Sequence, residues 1–81
     1  MERTGTYNGY QYQAWAHRYR APVCWKPAGW VLTGVNHLGQ NVYHRWDAAT
    51  GPSCPTEETA LNHQVELMKR WIDENLPQRA T

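Results

Sequence analysis

Two cysteines and four histidines are the side chains of this 81-residue protein best suited to hold a metal or to work as nucleophile and base. Zinc sites draw their ligands in close pairs such as Cys-x-x-Cys or His-x-x-x-His. Cys24 and Cys54 stand far apart, and His17, His37, His44 and His63 make no such pair; no metal ligand is assigned and no cofactor is expected. A Cys and His pair meets in space rather than in sequence, and nothing local selects one histidine over another. General acid and base chemistry needs two groups that converge, yet Glu57, Glu58, Glu66, Asp73 and Glu74 share one C-terminal stretch. The sole serine, Ser53, lacks a Gly-x-Ser-x-Gly context. All six glycines are isolated, so no phosphate-cradling loop is present. The expectation is a protein without catalytic residues, and a Cys and His metal or redox site ranks third among its readings.

The aromatic residues carry more. There are five Trp and five Tyr but no Phe, so every ring of these types bears a polar atom that wants a partner, which suits half-buried sheet positions and interfaces. Arg18, Arg20 and Lys26 interleave with Trp15, Tyr19 and Trp25, and Arg45 on the third expected strand could join them. Cations among stacking rings are how sheet-based and single-strand binders hold nucleic acid. The formal net charge of +1 falls short of the basic balance of such modules, and Arg, Lys and Pro also guard exposed strand edges. Aromatic anchors equally concentrate energy at protein interfaces. The leading expectation is therefore a non-enzymatic domain that binds a protein or itself, with Trp15, Arg18, Arg20, Trp25, Lys26, Trp30 and Arg45 as candidate binding residues. Nucleic acid is the second reading, and no small-molecule substrate is evident.

These residues need elements to position them. Tyr10, Tyr12, Ala14 and Ala16 alternate with Gln11, Gln13, Trp15 and His17, which predicts a strand over 7 to 19. Two prolines predict a loop over 20 to 27. Strands follow over 29 to 35 and 41 to 46, joined by a hairpin loop with Gly39 at a position suited to positive φ. In the second strand Val31 and Val35 are expected inward and Trp30 partly exposed. Turn chemistry over 47 to 55 ends the sheet. Thr56 then caps a helix of roughly 30 Å over 57 to 76, with Leu61, Val65, Met68 and Ile72 on one stripe. Leu67 and Trp71 lie beside that stripe as candidate self-association residues. The fold class expected is α+β: a three-stranded antiparallel sheet followed by one C-terminal amphipathic helix packed on one face. One domain spans 1 to 81, ordered over about 7 to 76 between short polar tails.

No apolar run is long enough to span a bilayer, and residues 1 to 5 are polar, without the apolar region a secretory signal needs, so none is expected. The expectation is a cytoplasmic protein with two free thiols. Several strings, in order, resemble the HlyU-type transcriptional activators and related small bacterial single-domain proteins: Tyr7-Asn8-Gly9-Tyr10, Ala28-Gly29-Trp30-Val31, His44-Arg45-Trp46, Thr56-Glu57-Glu58 and Trp71-Ile72-Asp73. Trp46 stands where that family usually has Phe, and the segment from Arg18 to Pro27 is richer in aromatics and prolines. The resemblance implies a sheet-then-helix fold and a part in gene regulation. It carries over no site residue, and no helix-turn-helix is visible.

Overall fold

The computed structural model describes residues 1–20 and 23–78. Its elements are β1 (Glu2–Tyr7), β2 (Tyr10–Arg20), β3 (Val23–Val35), β4 (Asn41–Trp46) and α1 (Glu57–Asn75), with a 3-10 turn over Ala48–Thr50. The strands form one antiparallel sheet in the order β1-β2-β3-β4, and α1 packs on one face. The α+β class, the antiparallel sheet and the C-terminal helix agree with the sequence reading. The sheet has four strands, not three.

The extra strand comes from residues assigned to a polar tail. Asn8 and Gly9 both have positive φ, at 49° and 83°, as a two-residue type I′ turn requires, so β1 and β2 are joined by a tight hairpin. The expected strand over 7 to 19 runs through this Asn-Gly pair, which is itself a strong hairpin signal. On one side of it β1 folds back, and Tyr7 lies opposite Tyr10 and Glu2 opposite Trp15.

The loop expected over 20 to 27 is also overturned in part. Ala21 and Pro22 lie outside the described residues, but residues 23 to 27 belong to β3 and pair with β2, Pro27 opposite Ala16 and Trp25 opposite Arg18. Pro27 is tolerated because of which way its missing donor would point. Trp25 exchanges both backbone hydrogen bonds with Cys54, each 2.8 Å, so odd-numbered amides of β3 point away from β2. Pro27 therefore lacks a donor only on the outer side, where β4 has not yet begun to pair. The same bridge separates the thiols. Cys54 lies opposite Trp25, so the side chain of Cys24, one residue earlier on an alternating strand, projects to the other face. Both cysteines are free and buried.

Thr56 caps α1 by accepting the Thr59 amide at 3.1 Å, with Glu57 and Glu58 in the first turn, where the helix dipole favours acids. Leu61, Val65, Met68 and Ile72 are buried against Tyr10, Ala14 and Val31. Side chains of this kind each contribute about 1.5–3 kcal/mol when fully buried. The helix can come this close because Gly29 sits beneath it: a Cβ there would lie 2.5 Å from the Gln13 carbonyl and 3.1 Å from Met68 Sδ. The expectation for β3 holds at Val31, which is fully buried, and fails at Val35, which is 63% exposed. A register shift between Leu32 and Gly34 changes the phase of the strand between the two valines. The hairpin loop over 36 to 40 forms as expected, with Gly39 at φ 80° and Asn36 Oδ1 accepting the Leu38 and Gln40 amides.

Candidate functional site

Strand register sorts the side chains by face, because residues opposite one another project to the same side. The helix side holds Tyr10, Ala14 and Val31, together with His44 and Trp46, which meet Trp71 of α1. The other side has no helix over it. Two rows cross its middle: Glu2, Trp15 and Ala28, and Thr4, Gln13, Trp30 and Arg45. Beside them lie Leu32 opposite Tyr43, and His17 opposite Lys26.

Trp15, Trp30, Leu32 and Tyr43 are half-buried on this open face, while Arg45 is exposed. Their polar atoms are already engaged with one another. Trp30 Nε1 donates to Gln13 Oε1 at 3.0 Å, and Gln13 Nε2 donates to Glu2 at 2.7 Å. Trp15 Nε1 donates to His17 Nε2 at 3.2 Å. Trp30 meets Tyr43 edge to face with ring centres 5.0 Å apart, and the Arg45 guanidinium lies 5.4 Å from the centre of the Tyr43 ring. The result is an apolar centre with satisfied polar atoms, rimmed by Glu2, Lys26, Arg45 and Asp47. Within it, Trp15, Gly29, Arg45, Trp46 and Asp47 line a cavity of about 210 Å³. Pockets for metabolites and drugs are typically about 300–1,000 Å³, so this one is the size for a single side chain.

The seven candidate binding residues do not form one surface. Trp15, Lys26, Trp30 and Arg45 share the open face. Arg18 and Trp25 oppose each other and, with Arg20, belong to the other face, where β2 and β3 run on past the ends of β1 and β4. Lys26 is partly occupied locally, its Nζ 3.4 Å from the Gly51 carbonyl and 5.4 Å from the centre of the Tyr19 ring. Of the two candidate self-association residues, Leu67 is half-buried on α1. Trp71 stacks on His44 at 4.2 Å and meets Trp46 edge to face at 5.5 Å; much of its ring is used within the chain. Sequence reasoning missed Gln13, Tyr43 and Asp47 as parts of the face. The alternation of β2 already set Gln13 beside Trp15, whereas Tyr43 and Asp47 needed the β3–β4 register.

Among the described residues no group of three or more His, Cys, Asp or Glu side chains could hold a metal ion, and no helix is long and apolar enough to cross a membrane. No family model, curated protein or solved structure matches the chain.

Proposed function

We propose that this chain is a non-enzymatic binding domain that docks a protein on the open face of its sheet. The observation that carries the reading is the state of that face: Trp15, Trp30 and Tyr43 half-exposed beside Arg45, with both indole N–H groups satisfied from within. Burying such rings under a partner costs little polar desolvation, and Trp, Tyr and Arg are the residue types that dominate binding energy at protein interfaces. The charges on the rim speak for protein over nucleic acid. Lys26 and Arg45 are balanced by Glu2 and Asp47, whereas a phosphate backbone calls for a surplus of cations. The part in gene regulation implied by the resemblance to HlyU-type activators would run through this protein contact. Two buried free thiols suit a reducing compartment, and we place the protein in the cytoplasm.

The test compares two paired variants of the full chain, each checked for native circular dichroism. Trp30→Ala with Arg45→Glu alters the open face; Arg18→Ala with Arg20→Ala alters the far end of the β2–β3 ribbon. Capture of a defined protein in fixed ratio is expected to be lost with the first pair and kept with the second. Retention on single-stranded DNA at about 50 mM salt, where phosphate contacts are strong, is expected for neither pair nor for the wild type. Retention that disappears with the Arg18 and Arg20 pair would overturn the reading in favour of nucleic acid.

A further inference from the structure

We infer that the occupant of the open face is a second copy of this chain, packed sheet to sheet about a two-fold axis; the inference rests on the docking reading above. A two-fold interface must be complementary to itself, and the two central rows of the face meet that condition. One row runs Glu2, Trp15, Ala28 and, continuing β4 by one residue, Asp47; the next runs Thr4, Gln13, Trp30 and Arg45. An axis that lies in the interface, crosses the strands and passes between these rows sets each row of one copy over the other row of its mate.

Three complementarities follow from that single operation. Arg45 of each copy comes over Asp47 of the other, and among the described residues neither has an ion-pair partner within its own chain. Trp30, half-exposed beside small Ala28, comes over the row that carries Ala28 in the second copy. There it reaches the cavity of about 210 Å³ between Trp15, Arg45 and Asp47, the space for one large side chain. The apolar centre of each face covers that of the other, with sheets about 10 Å apart as in β-sandwiches. Each copy is a helix layer and a sheet layer, and pairing through the bare side encloses both sheets between two outer helices.

The size of the face bounds the class of interface it can form. Four strands about 4.8 Å apart and six residues at about 3.4 Å each give a footprint of about 400 Å² per copy. That is below the roughly 600 Å² per partner of stable specific interfaces and in the range of weak, transient ones, so the pair is expected to be readily reversible, with a dissociation constant on the order of 10–100 µM.

Sedimentation equilibrium on the full chain from about 5 µM to about 1 mM tests this. The wild type is expected to shift from monomer to dimer across that range. Arg45→Asp, which sets like charges together, and Trp30→Ala are each expected to weaken the dimer about tenfold or more. The doubly exchanged chain Arg45→Asp with Asp47→Arg restores the opposite-charge pairing and is expected to recover to within about threefold of wild type. Residues 45 and 47 are exposed, so the charge variants keep the fold, and circular dichroism checks this for them and for Trp30→Ala. A strict monomer at about 1 mM overturns the second copy as occupant, while capture of a different protein on the same face would leave the docking reading standing. A dimer indifferent to Arg45→Asp and Trp30→Ala, or a double exchange that does not recover, also overturns it.

Discussion

Gln64 shows how a single side chain can oppose the element that holds it. It is 1% exposed, and its Nε2 has no hydrogen-bond partner. A Cβ on Gly29 would lie 3.2 Å from that nitrogen, which places the amide against the bare backbone of β3. A buried donor without a partner costs about 1–3 kcal/mol, because water bonds it in the unfolded chain and nothing replaces water in the folded one. Gln64→Met keeps the length of the side chain and removes the donor. It is expected to raise the free energy of unfolding in urea by about 1–2 kcal/mol. A fall in stability would show that the amide is satisfied in solution. The position was legible in the sequence even though the cost was not: 64 is three after Leu61 and four before Met68, inside the apolar stripe, and only its polar type argues for the surface. The binding residues divide in the same way. Their types marked Trp15, Trp30 and Arg45 from the outset, but whether Arg18 joins them or faces away depends on register, which a one-residue slip would reverse.

Between elements, the contact least visible in the sequence is the clasp of β1 and its turn onto α1. Arg3 donates to Asn62, Tyr7 and Asn8 each donate to Asp73 at 2.8 Å, and the N-terminal ammonium lies 3.4 Å from Glu57. Each partner lies more than fifty residues away in sequence, so no local pattern signals it. The helix, by contrast, was legible from its cap and its stripe, and the β3–β4 hairpin from its glycine, since those signals act within a turn or two of the chain. The clasp leaves a mark on alkaline stability. The Tyr7 hydroxyl is held above its ordinary value of 10.0, first by the hydrogen bond to Asp73, then by burial, then by the negative charges of Asp73 and Glu66. A group whose pKa is raised on folding adds stability that is complete below the unfolded value and is lost as pH climbs through the folded one. The thermal midpoint is therefore expected to fall above about pH 10, and Tyr7→Phe to fall less steeply over the same span. Identical slopes for the two chains would show that Tyr7 does not carry the loss.

At the scale of the molecule, charge and packing are both laid out unevenly. From Arg3 to Trp46 there are five basic residues and no acidic one, whereas α1 carries five acids against Lys69 and Arg70. The sheet layer is thus positive and the helix layer negative, which draws the two together and keeps the net charge small. Packing is uneven along the other direction. The centre of β2 and β3 is flanked by β1, β4 and α1, but Tyr19 and Cys24 pair with each other beyond the last pairs of β1 with β2, at Glu2 and Trp15, and of β3 with β4, at Gly29 and Trp46. Tyr19 and Cys24 lie outside the core cluster, so opening the far end of the ribbon leaves that cluster intact, whereas exposing Ala14, Val31 or Leu61 breaks the core they share. Proteins open locally where buried apolar contact is sparse and globally where it is dense. Hydrogen exchange followed by NMR is thus expected to separate two classes. Amides of Ala14, Val31 and Leu61 to Met68 exchange only through global unfolding and slow further when stability is raised by Gln64→Met. Those of Tyr19 and Cys24 exchange at least about tenfold faster by local opening and do not respond to that substitution. Equal protection at both places, or a ribbon end that tracks global stability, would mean that the ribbon and the core unfold as one unit.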